Sequence, residues 1–332
     1  MLLYSVILNL LHENIKFTTI NPILNAFSLD SCKDINTAAN HEEFIKIKRR
    51  NIINSLQKYT VGHNIFLKQA LDDYNEAVTY LFIKNKNILV ERITEVQGKK
   101  TPDFQVKFNN EIFYIEMKTL GFANGELNYY DAIDEGLNAK ISLEEQIKSG
   151  RKIAVAEAAI SPFNITNKGN LYNNLIQTRA IEIIINKNNN NLKEEQFSLG
   201  RTILFIDLSL MLMPYDWRLN SIPIFPEKLK KSMVSGIFWH SAFGKIGERI
   251  FSTIEFEGAR NIEGELSVEG ILNNHSWIQA LCFQTYNISR ERKVVCLYRE
   301  KDEEMIDILH PLGDFFNDEL NTNGYEVLQA EY

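Results

Sequence analysis

The spacing of apolar residues divides the chain into blocks. From Asn64 to Asn85, Phe66, Leu67, Ala70, Leu71, Tyr74, Ala77, Val78, Leu81 and Phe82 recur at three- and four-residue steps, the period of a helix with one buried face. Ahead of it, residues 1–64 read as a separate helical region, with a polar break at Asn36 to Asn40 and a charged amphipathic helix from Glu42 to Lys58. The apolar start, Met1 to His12, lacks a basic leader and a small-residue cleavage site, so it is expected to dock on the core as a helix.

After the long helix the period changes to that of strands. Asn87 to Val96 predicts a first strand and Gln97 to Lys100 a turn; Thr101 to Thr119 then carries two runs rich in Val, Ile, Phe and Tyr around Asn109-Asn110. Asn accepts the left-handed angles of a two-residue type I′ turn, so this stretch predicts a β-hairpin. If Phe108 pairs with Glu111, every pair sums to the same index and Asp103 falls opposite Glu116, with Cβ atoms about 5 Å apart. Residues 120–167, with Gly121, Gly125, Tyr129, Tyr130 and a helix predicted over Ala139 to Lys148, read as an insertion. An amphipathic helix follows over Lys168 to Lys187. Thr202 to Leu208 has the apolar continuity of a strand buried on both faces. Past Pro214, strand-like runs at Gly236 to His240, Trp277 to Tyr286 and Val294 to Tyr298 extend the same sheet.

Composition adds bounds rather than identity. With 332 residues, 45% hydrophobic and 24% charged, the chain is an ordinary globular protein with length for a large core, and no run approaches a charge-free membrane span. Cys32, Cys282 and Cys296 are scattered and odd in number, which suits a reducing compartment and predicts a cytoplasmic protein. A formal net charge of -7 disfavours a polyanionic partner unless positive charge is gathered locally. Lys84, Lys86, Arg92, Lys99 and Lys100 form one such group, and Lys148, Arg151 and Lys152 another; either is a groove or plain solvated surface. Gly244 to Gly247 lacks the spacing of a phosphate-binding loop, and His240 and His275 have no ligand-spaced partner.

The candidate chemistry sits in the hairpin. Two facing carboxylates repel, so the pairing of Asp103 with Glu116 implies a cation between them. Strand alternation puts Lys118 on the same face as Glu116. Pro102-Asp103 and Glu116-Met117-Lys118 resemble the PD-(D/E)XK nuclease superfamily, the restriction-endonuclease-like proteins. The resemblance implies an α/β fold: an αβββαβ core with a mixed sheet over about residues 66–210, the insertion at 120–167, and a C-terminal sheet extension over 211–332, all within a domain spanning 65–332. It also implies a metal-dependent nuclease in which Asp103, Glu116 and the Met117 backbone carbonyl hold Mg²⁺ or Mn²⁺ and Lys118 positions the attacking water. Glu76 is the expected auxiliary ligand, with Asp72 or Asp73 as alternatives, and a helix glutamine, Gln146 or Gln177, is expected near the site. The implied substrate is nucleic acid, DNA rather than RNA, in antiviral defence or restriction. Lys99 and Lys100, with Lys148, Arg151 and Lys152 on an overhanging flap, are the expected phosphate contacts. No membrane partner is expected; self-association or a protein partner stays open. A nuclease-like module that binds without cutting is the second reading, and a nuclease toxin the third.

Overall fold

The computed structural model describes residues 2–16, 22–59, 65–94, 98, 100–121, 129–156, 177–211, 232–233, 236–251, 262–286, 292–299 and 302–317. Five helices open the chain: α1 (Leu3–Lys16), α2 (Pro22–Ala26), α3 (Leu29–Ala38), α4 (Glu43–Lys58) and α5 (Ile65–Asn85). Strands β1 (Leu89–Arg92), β2 (Phe104–Phe108) and β3 (Glu111–Thr119) follow, then α6 (Tyr129–Lys148), α7 (Gln177–Asn189), a 3-10 turn at Glu194–Phe197 and β4 (Thr202–Asp207). The remainder contributes β5 (Ser232–Met233), α8 (Ile237–Phe243), β6 (Arg249–Phe251), β7 (Ile262–Glu265), α9 (Ile271–Asn274), β8 (Ala280–Tyr286), β9 (Arg292–Tyr298), α10 (Glu303–Leu312) and β10 (Phe315–Asn317).

Among the described residues, eight strands make one mixed sheet in the order β1-β2-β3-β4-β8-β9-β10-β5, and β6 and β7 form a separate pair. The first three strands are antiparallel, as short connections require. Strand β4 runs parallel to both β3 and β8, so the chain has to cross over a sheet face between β3 and β4. All six residues of β4 are buried, as its unbroken apolar run predicts for a strand covered on both sides.

The two faces of β4 show how the core divides. Ile203 and Phe205 join Phe104, Val106, Phe113, Ile115 and Met117 in a cluster packed under α1 to α5 and α10. Leu204 and Ile206 point the other way, into a second cluster with Ile181, Ile184 and Ile185 of α7, and with α8 and α9. The sheet is therefore a middle layer, and the N-terminal helices share one core with α5 and the face beneath it. Capping sharpens two of the helices. The Ser28 hydroxyl accepts the Ser31 N–H ahead of α3, and the Asp302 carboxylate accepts those of Glu304 and Met305 ahead of α10.

Several elements differ from the sequence reading. Gly236 to His240 is not a strand: α8 occupies Ile237–Phe243 and begins after a glycine at φ 103°. A short apolar run buried all round has no period to separate strand from helix, and here the glycine supplies the helix start. The inserted helix starts at Tyr129, ten residues earlier than its apolar spacing suggests, and α3 runs through Asn36, whose side chain accepts the Leu3 N–H instead of breaking the helix. The predicted 168–187 helix coincides with α7 from Gln177 on, and its earlier residues fall in 157–176, outside the described residues. Cys32, Cys282 and Cys296 are free and buried, with Cys282 and Cys296 facing each other across β8 and β9. Among the described residues, no helix is long and apolar enough to cross a membrane.

The hairpin turn makes the first testable point. Asn109 and Asn110 both have positive φ, 47° and 67°, as a type I′ turn demands. Asn110→Gly should keep or slightly raise stability, whereas Asn110→Val should lose about 1–2 kcal/mol because a β-branched side chain resists the left-handed region. Urea denaturation of the two variants checks this.

Candidate functional site

The hairpin folds at the register its turn sets: Phe108 pairs with Glu111, and the ladder keeps the same index to Phe104 and Ile115. The ladder ends there. The Asp103 N–H donates to the Ile115 carbonyl at 2.9 Å, so Asp103, just ahead of β2, does not take the paired position opposite Glu116 that a longer ladder would give it. Its Oδ2 instead accepts the Met117 N–H at 2.8 Å. Oδ1 accepts from Arg92 of β1 at 2.5 Å, and the same guanidinium reaches the Asp103 carbonyl at 2.8 Å.

Beyond this point β3 has lost its β2 partner, and a cleft of about 370 Å³ opens there. Its walls include Asp103 just ahead of β2, Glu116, Met117, Lys118 and Thr119 from β3, Asp72 and Glu76 from α5, Lys100 and Thr101 from the segment before Asp103, and Gln196 from the 3-10 turn. Glu116 is only 2% exposed. Its Oε1 accepts from Lys118 at 2.6 Å and from the Gln196 amide, while its buried Oε2 has no hydrogen-bond partner. Burial first, and the Asp103 charge second, push the Glu116 carboxyl up from 4.5 to about 7, against the pull of Lys118 and Arg92.

The α5 wall is acidic too. Burial raises Asp72 to about 6, with Glu76, Asp73 and Asp207 adding to the rise and Lys68 opposing it. Glu76 is also raised by burial and by Asp103, against the pull of Lys48. Lys48 reaches over from α4 to lie 2.7 Å from both Asp73 and Glu76. The site therefore draws on α4, α5, all three hairpin-side strands and the turn before β4.

Of the residues singled out in the sequence, the cleft gathers Asp103, Glu116, Met117, Lys118, Glu76 and Lys100. Asp72 is there as well, whereas Asp73 faces Lys48 and is not among the lining residues. Gln146, Lys148, Arg151 and Lys152 sit at the end of α6 and just past it, and none of them lines the cleft. Gln146 is engaged locally, donating to the Val155 carbonyl at 2.9 Å and accepting its N–H at 3.2 Å. Lys99 lies outside the described residues, as does the side chain of Gln177.

Sequence reasoning missed Gln196 and the role of Arg92. Gln196 is the glutamine that meets the site, and its Oε1 also accepts the Lys193 N–H, which fixes the 3-10 turn. The available signal was its place six residues before the buried β4 run: a parallel neighbour delivers the start of β4 beside Tyr114, two residues from Glu116. Arg92 was legible only as one of a group of basic residues.

The donor set suits a hard divalent cation. Mg²⁺ typically takes one or two carboxylates and completes its shell with carbonyls, waters and substrate oxygens. Glu116 offers a buried unpartnered oxygen, Asp103 a second acid, and Met117 a carbonyl. Among the described residues, no group of three or more His, Cys, Asp or Glu side chains is arranged to hold a metal. The fit thus rests on two carboxylates with non-ionisable oxygens.

A pH dependence follows. The folded carboxyl of Glu116 ionises near 7 and the unfolded one near 4.5, so stability falls as pH rises between those values and levels off above. Glu116→Gln should remove that component. Without divalent ions its melting temperature should exceed the wild type's by a few degrees at pH 8, with the gap closing towards pH 5. A gap independent of pH in scanning calorimetry would contradict the raised carboxyl. Mn²⁺ affinity of the wild type should rise through pH 7 as the same proton leaves.

Compared with protein-family models, with curated proteins and with solved structures, the chain matches none.

Proposed function

We propose that the protein is a metal-dependent nuclease with a restriction-endonuclease-like core. The observation that carries this reading is the meeting of Asp103, Glu116 and Lys118 at one cleft, where β2 parts from β3. The order of elements supports it: α5, then β1, β2 and β3, then α7 and a β4 parallel to β3, which is the αβββαβ succession. Asp103, Glu116 and the Met117 carbonyl would hold Mg²⁺ or Mn²⁺, with Glu76 as an auxiliary oxygen released from Lys48. A bound ion of this kind neutralises phosphate charge and acidifies water.

The chain's own groups account for the rest. Asp103 is oriented by the Met117 amide and by Arg92, so its carboxylate is set before any ligand arrives. Gln196 holds Glu116 from the other side. Lys118 keeps its ammonium beside Glu116, where it can hold an attacking water or meet charge growing on a phosphate oxygen. Lys100 at the rim adds a phosphate contact. Hydrolysis by in-line displacement asks little more than this positioning and charge neutralisation. A second reading, binding without cutting, is favoured by one fact: Arg92 and Lys118 already ion-pair with the two acids.

Incubation with plasmid DNA and with RNA, in Mg²⁺, Mn²⁺ or EDTA, separates the two. Cleavage should need the metal, prefer DNA, and fall by a factor of about 10² or more in Lys118→Ala while its circular dichroism and Mn²⁺ binding persist. Undiminished cleavage in that variant would remove Lys118 from the mechanism. Absence of cleavage by the wild type in every condition, with nucleic acid still bound, would favour the second reading. Lys100→Ala should weaken nucleic-acid binding about equally for all sequences and reduce the salt slope by about 1.

A further inference from the structure

A second cavity, of about 580 Å³, lies between α3, α5 and the facing ends of β8 and β9. Helix α5 serves both. It presents Asp72 and Glu76 to the cleft and, from nearly the opposite side of the helix, Val78, Leu81 and Phe82 to the cavity. The proposed mechanism uses none of the cavity's residues.

The walls combine three kinds of group. Leu29, Val78 and Leu81 give an apolar surface, Asp30 and Asp34 of α3 give acceptors, and Arg292 gives a guanidinium. Arg292 lies over the Phe82 ring at 4.4 Å, which holds its donor fork in place. The volume is that of a small-molecule site. An apolar slot between carboxylates that accept from hydroxyls or amines and a guanidinium that donates to a carbonyl, ring nitrogen or phosphate is the complement of a nucleoside.

Buried polar groups join this cavity to the cleft. Arg292 and Tyr286 both line the cavity, and the Gln284 amide donates to the Tyr286 hydroxyl at 3.0 Å and also to Oδ2 of Asp207. Oδ1 of Asp207 accepts from the Asn75 amide of α5 at 3.2 Å. The same amide donates at 3.2 Å to the hydroxyl of Thr119, a cleft residue. Asp207 feels both ends, since the Arg292 charge favours its ionised form and its own charge raises Asp72.

We propose that this cavity binds a nucleoside or nucleoside monophosphate, and that its occupancy tightens cation binding in the cleft through α5 and the Tyr286–Gln284–Asp207–Asn75–Thr119 chain. The binding stands on the cavity alone; the coupling rests on the nuclease reading of the cleft. A ligand seated on Val78 and Leu81 restrains α5, so Asp72 and Glu76 are held for the cation at less entropic cost.

Calorimetric titration of the full chain with adenosine, guanosine, cytidine, uridine and their 5′-monophosphates tests it, the paired probes showing whether the phosphate contributes. At least one should bind, with affinity lowered about tenfold or more by Arg292→Gln and by Asp34→Asn and unchanged by Lys118→Ala. Asp34 is exposed, so its variant keeps the test valid should Arg292→Gln fail to fold. No binding by any probe, or equal affinity in the Asp34 variant, overturns the site. With the bound probe saturating, Mn²⁺ affinity should rise about fivefold or more; unchanged affinity overturns the coupling. A protein that binds the probe but cuts no nucleic acid refutes the nuclease reading and leaves the cavity assignment standing.

Discussion

Strand β3 outlasts its partner. Past Ile115 its backbone has no β2 residue to bond on that edge, and the carboxylate of Asp103 answers the Met117 amide in place of a backbone carbonyl. That one contact sets much else. It ends the ladder in a controlled way, holds an acid at a fixed place beside Glu116, and leaves room for Asp72 and Glu76 to approach from α5. An unpaired inner edge would otherwise bury an unsatisfied donor, which proteins rarely tolerate. The structural need and the chemical placement are met by the same side chain.

Four carboxylates around one cleft have to be offset, and the offsets come from scattered parts of the chain. Lys48 arrives from α4, Arg92 from β1 and Lys118 from β3 itself. Because Lys48 belongs to the N-terminal helices, those helices are electrostatically part of the site as well as part of its core. The neutralisation is incomplete at Glu116, which stays buried, with one oxygen unpartnered and its acidity much reduced. That residual cost is the property a cation would relieve.

Local pattern and turn chemistry made the hairpin, α4, α5 and β4 legible, because each has a clear period or a residue pair with one conformational use. Asp103, Glu116 and Lys118 were singled out from the hairpin register and strand alternation, although Asp103 does not take the ladder position predicted for it. What stayed hidden depended on tertiary placement. The ladder stops at Phe104, just after a proline that has no N–H to extend it, and Asp103 turns its carboxylate to the Met117 amide, a contact no local pattern announces; Gln196 reaches Glu116 across 80 residues of sequence. Residues Ile237 to His240 look like a strand because a short helix buried on all sides carries no polar stripe. Lys148, Arg151 and Lys152 belong to the insertion but sit at the end of α6 and just past it, and none of them lines the cleft.

The complete burial of β4 has a consequence for how the cleft is held. β4 is bonded along both edges, to β3 and to β8, and covered on both faces, so its amides should be among the slowest in the described residues to exchange. Glu116 and Lys118 pair directly with Leu204 and Ile206 of that strand and share its protection. Asp103 hangs from the outer side of β3, in the two-strand margin that ends the sheet at β1. The two acids therefore belong to different parts of the sheet, Glu116 to its centre and Asp103 to its edge. The cleft thus joins the centre of the sheet to its margin, and the Asp103–Met117 contact is the tie between them.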